Sequence, residues 1–179
     1  IVHNTTGGPV GPTTAHIRIT SAPLRGAKLR AEKGINVPDT EVPVPALTDS
    51  DLLDLDTAVQ LADMVALSFV RRADDVALLL DELSLRGGDA VGIVVKIETV
   101  HGFRHLPDIL RTAMRNERVG VMIARGDLAV EAGYERLAEV QEEILWLCEA
   151  AHLPVIWATE VLDGLARTGR ATRSEIMCW

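Results

Sequence analysis

Short apolar runs alternate with segments of helical periodicity along most of the chain. The predicted strands cover residues 64–70, 92–98, 119–124 and 154–158. The predicted helices cover residues 52–61, 73–85, 106–114 and 135–151. Strands and helices that alternate in this way form right-handed βαβ units, whose strands lie parallel in one sheet. Four such units fit either half of an eight-stranded barrel or a small open sheet.

The strand at residues 92–98 carries two charged residues at its end. Its sequence, GIVVKIE, is rich in β-branched residues and predicts a strand that is buried on both faces. Lys96 and Glu98 are two positions apart, so their side chains leave the same face of the sheet. A buried charge is costly unless it is paired or binds a metal. Two interpretations are therefore open: an ion pair that closes the strand, and a functional site.

Polar residues also follow the other three predicted strands. They are Ser68 and Arg71, Arg125 and Asp127, and Thr159 and Glu160. The carboxyl ends of parallel strands share one rim of a barrel, where enzymes with this fold keep their active sites. The pattern therefore favours a barrel over an open sheet.

Two carboxylates at this rim indicate a metal site. Glu98 and Asp127 end neighbouring strands, which lie about 4.8 Å apart, and carboxylates so close repel unless a cation lies between them. Oxygen ligands without His or Cys favour Mg²⁺ or Mn²⁺, with water and substrate as further ligands. Gly126 lets backbone N–H groups approach an anion, and Thr159 can donate a hydroxyl. Together with Lys96, these groups suit an oxyanion such as an enolate, a carboxylate or a phosphoryl group.

Composition excludes several classes of protein. The net charge is −8 and no basic patch is present, so we expect no nucleic-acid partner. No apolar stretch is long enough to span a membrane and no signal peptide is visible, so we expect a cytoplasmic protein without membrane contact. The two cysteines, Cys148 and Cys178, lack metal-ligand spacing and do not make a disulfide framework. Cys148 and Trp146 lie near the apolar stripe of a predicted helix and are interpreted as packing residues.

The first 34 residues differ in character from the rest. They are rich in Gly, Pro and Thr, with a short β segment predicted at residues 16–20 and a basic loop after it. A connector punctuated by prolines follows, so we predict two domains, residues 1–34 and residues 35–179. Because residue 1 is Ile and the chain stops just after a helix start, we expect the sequence to be a fragment of a longer chain.

Six ordered motifs resemble the pyruvate kinase family. They are KGINVP at 33–38 with PALT at 45–48, SFVRRADDV at 68–76, VVKIE at 94–98 with HGFR at 101–104, MIARGDL at 122–128, VIWAT at 155–159 and TRSE at 172–175. The resemblance implies an α/β fold, a partial (β/α)₈ TIM barrel that contains about strands 3 to 6. It also implies that residues 1–34 are a remnant of the family's small β lid domain.

The resemblance also implies an activity and a set of roles. Pyruvate kinase transfers the phosphoryl group of phosphoenolpyruvate to ADP in glycolysis, through an enolpyruvate that is then protonated. By similarity, Lys96 and Thr159 are the expected catalytic residues, and Glu98 and Asp127 are the expected ligands of Mg²⁺ or Mn²⁺. The expected substrate-binding residues are Ser68, Arg125, Gly126, Asp127 and Thr159. Phosphoenolpyruvate or pyruvate and ADP or ATP are the expected partners, in a full-length parent that forms a homo-oligomer.

Some family features have no match in the sequence. The family uses K⁺, but its ligands lie on early barrel strands that this chain lacks, so we expect the isolated fragment to be inactive. Ala129 stands where the family usually has Gly, and Glu160 where it usually has Gln. Two other interpretations stay open. One is a metal-dependent aldolase or lyase that acts on a pyruvate enolate, and the other is a non-catalytic barrel of the same family.

Overall fold

The computed structural model describes residues 23–26, 28, 36, 38, 43–159 and 161–177. The chain divides into two compact units, Ile1–Ile35 and Asn36–Trp179. In the first unit, the described residues include a turn that is closed by a hydrogen bond of 2.8 Å from the amide of Gly26 to the carbonyl of Pro23. The β segment predicted at residues 16–20 lies outside the described residues, as do most of residues 1–34 and Glu160.

The second unit contains a parallel sheet of four strands. The strands are β1 (Met64–Leu67), β2 (Gly92–Ile97), β3 (Val119–Ala124) and β4 (Val155–Ala158), and they lie in the order β1-β2-β3-β4. Every neighbouring pair is parallel, which confirms the prediction of βαβ units. The prediction for the first strand was wrong at its end, because β1 stops at Leu67 and Phe69 turns into the left-handed region with φ 52°.

Helices connect and cover the strands. They are α1 (Asp49–Leu61), α2 (Ala73–Leu85), α3 (Val100–Arg104), α4 (Leu106–Ala113), α5 (Arg125–Ala132), α6 (Leu137–Ala150), α7 (Asp163–Thr168) and α8 (Arg173–Met177). The prediction for α2 is confirmed at both ends. The sequence interpretation missed α5, because it took Arg125, Gly126 and Asp127 as the end of a strand, whereas they form the first turn of this helix.

The two faces of the sheet differ in their surroundings. One row of paired residues points into the core beneath the helices; it consists of Leu67, Val95, Val121 and Val155. The next row points to the opposite face; it consists of Lys96, Met122 and Ile156. Ile156 is 42% exposed, so the helices leave this second face open in the described part of the chain. The charged end of β2 therefore lies on the open face.

Helix α6 corrects one expectation and confirms another. Cys148 is fully buried in the core, and burial raises the pKa of its thiol to about 11. Trp146 was expected to pack, but it is 63% exposed, because it lies two positions from Cys148 and two from Ile144, which both face the core. Across the described ranges, no helix has the length and apolarity needed to cross a membrane.

A capping box fixes the start of α1. The amide of Asp51 donates to the Thr48 hydroxyl at 3.2 Å, and the hydroxyl and amide of Thr48 both donate to the Asp51 carboxylate at 2.7 Å. These bonds lower the pKa of Asp51, with the Thr48 hydroxyl as the largest cause. Because the folded-state pKa is lowered, this stabilisation is present at neutral pH and is lost as the pH falls through that pKa.

We expect Thr48→Ala to lower the free energy of unfolding by about 1 kcal/mol, since it removes the hydroxyl that accepts from the amide of Asp51 and donates to the Asp51 carboxylate. Urea denaturation at pH 7 measures the effect. Thr57→Ala, at an exposed position inside the same helix, is the matched control and should be neutral or slightly stabilising. Equal stability of the two variants would show that the box does not contribute.

Candidate active site

The charged pair at the end of β2 is brought together as the sequence predicted. The ammonium of Lys96 lies 2.8 Å from Oε1 of Glu98, and it also donates to the hydroxyl of Ser68 at 2.8 Å. Glu98 is 3% exposed, whereas the Lys96 side chain is 23% exposed. The ion pair is therefore confirmed. It lies at the carboxyl end of a strand and on the open face of the sheet, where a ligand can approach Lys96.

The loop after β1 is attached to the turn after β2. The amide of Phe69 donates to Oε2 of Glu98 at 2.5 Å, so both carboxylate oxygens of Glu98 have a partner. Gly102 lies so close to the carbonyl of Val70 that an added Cβ would be 2.3 Å from that oxygen. These contacts hold Ser68, which is the second partner of Lys96, at the rim.

The first turn of α5 presents backbone amides at the same end of the sheet. The helix begins at Arg125, one residue after β3 ends, and Ala124 before it has no side-chain oxygen to cap the helix. The first N–H groups of a helix have no partner within the helix and attract anions. Asp127 lies in this turn, half-buried, and its Oδ1 accepts a hydrogen bond of 3.4 Å from the side-chain amide of Asn36.

Thr159 packs against this helix start. Its φ is 72°, a conformation that β-branched residues rarely adopt, and its hydroxyl lies 3.2 Å from where a Cβ on Gly126 would be. Gly126 therefore allows the side chain of Thr159 to lie close to the backbone of the helix. The guanidinium of Arg125 donates to the carbonyl of Thr159 at 2.7 Å and lies 5.7 Å from the ring centre of Trp157. The structure thus places Arg125 against β4.

The predicted site residues fall into two contact groups at the carboxyl end of the sheet. Ser68, Lys96 and Glu98 form the first group, and Arg125, Gly126 and Thr159 form the second. Asp127 is in the same helical turn as the second group. The sequence interpretation placed Asp127 at a strand end, in line with Glu98; this was wrong, because Ile97 pairs with Ile123 and Asp127 lies a full turn beyond β3.

Two residues of the site were missed by sequence reasoning. Asn36 reaches Asp127 across 91 positions of the chain, and no local pattern predicts so distant a contact. Phe69 uses its backbone amide, which is present in every residue but proline and leaves no trace in the sequence. The resemblance of residues 33–38 and 68–76 to family motifs was the available signal for both.

The donor set fits a hard divalent cation. Glu98 and Asp127 supply carboxylate oxygens, which are the ligands that a hard cation prefers. Among the residues that the structure describes, no group of three or more His, Cys, Asp or Glu could hold a metal. Two carboxylates are nevertheless the usual protein contribution to a Mg²⁺ site, in which water and substrate oxygens supply the other ligands.

The sequence matches the family "Pyruvate kinase, barrel domain" over residues 11–178. The pyruvate kinase of Clostridium perfringens is 35% identical over 153 residues, which is 85% of this chain and 31% of that protein. The pyruvate kinase of Kluyveromyces lactis is 38% identical over 154 residues, or 86% of this chain and 30% of that one. The pyruvate kinase of Geobacillus stearothermophilus is 37% identical over 158 residues, which is 88% of this chain and 26% of that protein. The chain spans less than a third of the length of these relatives.

Proposed function

This chain belongs to the pyruvate kinase family, and on that premise we propose that it supplies the metal-binding and enolate-stabilising part of a pyruvate kinase active site. Its sheet is part of the family's barrel. The reaction transfers the phosphoryl group of phosphoenolpyruvate to ADP and gives pyruvate and ATP. The observation that carries the proposal is the ammonium of Lys96, which lies on the open face of the sheet beside a buried carboxylate.

Lys96 acts on the charge that develops during transfer. As the phosphoryl group leaves, the oxygen of the substrate becomes an enolate, and negative charge also spreads over the phosphoryl oxygens. A fixed ammonium at the rim stabilises this charge more than it stabilises the ground state, which is the condition for catalysis. The hydroxyl of Ser68, 2.8 Å from Nζ of Lys96, orients the ammonium.

Glu98 and Asp127 are the residues that would hold a divalent cation, Mg²⁺ or Mn²⁺. When bound, such a cation acts as a Lewis acid toward the oxygens of the substrate. The two carboxylates approach it from different elements, Glu98 from the end of β2 and Asp127 from the first turn of α5. The contacts of Glu98 with Phe69 and of Asp127 with Asn36 fix the directions of the two groups.

The start of α5 binds the carboxylate of the substrate. The amides of Gly126 and Asp127 are in the first turn of this helix, where the helix dipole favours a negative charge. Thr159, held against Gly126, lines the pocket near the path of the proton that converts enolpyruvate to pyruvate. The family resemblance adds K⁺ and ADP or ATP as further ligands of a cytoplasmic, homo-oligomeric parent protein. A lyase would use the same enolate chemistry, but the family match favours the phosphotransferase.

Metal binding tests the proposed site directly. We expect Asp127→Ala to bind Mn²⁺ at least about tenfold more weakly than the unchanged chain, because it loses one of two carboxylate ligands. Isothermal titration calorimetry measures the affinity. Asp108→Ala is the matched control, since Asp108 is exposed on α4 and pairs with Arg111 at 2.9 Å. If Asp127→Ala and Asp108→Ala bind the metal equally well, Asp127 is not a ligand.

A further inference from the structure

We propose that Lys96 occupies the metal-facing oxygen of Glu98 before metal binds, so that a divalent cation must displace the ammonium group. The inference rests on the proposed function, because it concerns one of the same two carboxylates. It goes further, because it states which group balances the charge of Glu98 when no cation is bound and how metal binding changes the position of the lysine.

The geometry places the ammonium where a metal ligand must be free. Nζ of Lys96 lies 2.8 Å from Oε1 of Glu98, while Oε2 accepts the amide of Phe69 at 2.5 Å. The amide belongs to the loop after β1 and cannot leave without moving that loop. The ammonium is on a flexible four-carbon chain and can leave alone. Oε1 is therefore the oxygen that becomes available to a cation.

Burial gives the pair its energetic importance. Glu98 is 3% exposed, and it is the one charged residue that is buried in the described part of the chain. A carboxylate removed from water in this way is strongly destabilising when it loses its counter-ion. Either the ammonium or a divalent cation can fill that role, but the two cannot contact the same lone pairs at once. Lys96 and the metal therefore compete for Glu98.

Ser68 provides a hydrogen-bond partner for the ammonium of Lys96 after the ammonium has left Glu98. Nζ of Lys96 already donates to the Ser68 hydroxyl at 2.8 Å, so the lysine keeps one partner at the rim when it leaves Glu98. The released ammonium then has donors free for an anionic substrate on the open face. Metal binding therefore releases Lys96 from Glu98, and the released lysine can then bind the substrate.

Substitution of Lys96 tests whether the lysine and the metal compete for Glu98. We expect Lys96→Met to bind Mn²⁺ about tenfold more tightly than the unchanged chain, a difference of about 1.4 kcal/mol. Without metal, Lys96→Met should also melt at least about 5 °C lower, since Glu98 is left without a counter-ion. Mn²⁺ should restore most of that loss. Titration calorimetry and differential scanning fluorimetry of the full chain measure both effects.

Two control variants sharpen the comparison. Lys96→Arg keeps the charge and the ion pair, so its affinity for Mn²⁺ and its melting temperature should stay near those of the unchanged chain. Arg104→Met removes an exposed positive charge from α3 without touching Glu98, so it reports the effect of net charge alone. A rise in affinity with Arg104→Met as large as with Lys96→Met would overturn the direct competition.

The outcomes also distinguish this inference from the function on which it rests. If Mn²⁺ binds in a way that Asp127→Ala weakens, but Lys96→Met binds it no more tightly, the competition is wrong and the proposed metal site stands. If neither the unchanged chain nor Lys96→Met binds Mn²⁺, the proposed metal site fails and the competition fails with it. Tighter binding by Lys96→Met that is lost again in the double variant with Asp127→Ala supports both.

Discussion

Phosphoryl transfer should fall by about a thousandfold or more when Lys96 is replaced by Met in an otherwise complete enzyme. Such an enzyme can be made by placing residues 36–177 of this chain into the matching segment of the Geobacillus stearothermophilus pyruvate kinase, which is 37% identical over 158 residues. In the proposed function, the ammonium of Lys96 faces charge that exists mainly in the transition state, and loss of such a group costs about 4 kcal/mol in activation free energy. A coupled pyruvate assay with phosphoenolpyruvate and ADP measures the rate.

Two measurements show whether the loss is chemical. Because Lys96 also balances the buried carboxylate of Glu98, the variant is assayed at saturating Mn²⁺, and circular dichroism confirms that it is folded under those conditions. Arg111→Met, which removes an exposed charge from α4, is the control and should keep the rate of the chimeric enzyme. A rate for Lys96→Met within about tenfold of the chimeric enzyme would show that the lysine is a structural partner of Glu98 rather than a catalytic group.

The regular elements could be predicted because local signals agreed. Apolar periodicity and a glycine pair after the last turn both indicated α2, and its bounds are confirmed. Residues 119–124 form a continuous apolar run, and β3 covers the same residues. The prediction for β1 ran three residues too far, because Ser68, Phe69 and Val70 continue the strand-like composition. The buried carboxylate of Glu98 holds the amide of Phe69 in a turn instead.

The start of α5 shows why the site was harder to predict than the fold. Gly126 is a poor helix former and Asp127 is typical of turns, so local preference indicates a loop at these residues. The side chain of Thr159 packs against Gly126, and an added Cβ would be 3.1 Å from it; a contact across 33 positions of the chain cannot be predicted from local preference. The pairing of Lys96 with Glu98 could be predicted, because spacing along one strand determines it. The contact of Asn36 with Asp127 depends on the complete fold.

Gly102 links the two loops that carry the first contact group. It lies in α3, directly after the turn at Glu98 and Thr99, and its amide donates to the hydroxyl of Thr99 at 3.0 Å. A Cβ at this position would be 2.3 Å from the carbonyl oxygen of Val70, a fully buried residue in the loop after β1. Because the obstacle is backbone rather than a flexible side chain, one of the two loops must move to admit even a methyl group.

Gly102→Ala should therefore lower the free energy of unfolding by about 3 kcal/mol, which is at the upper end of the usual cost of overpacking. Gly120→Ala is the matched control: Gly120 is also buried, but the nearest atom to an added Cβ is 3.7 Å away, an ordinary contact. Urea denaturation of both variants at pH 7 measures the difference. If Gly102→Ala is as stable as Gly120→Ala, the loop after β1 is free to retreat from α3. In that case the contact between Phe69 and Glu98 does not depend on this close packing.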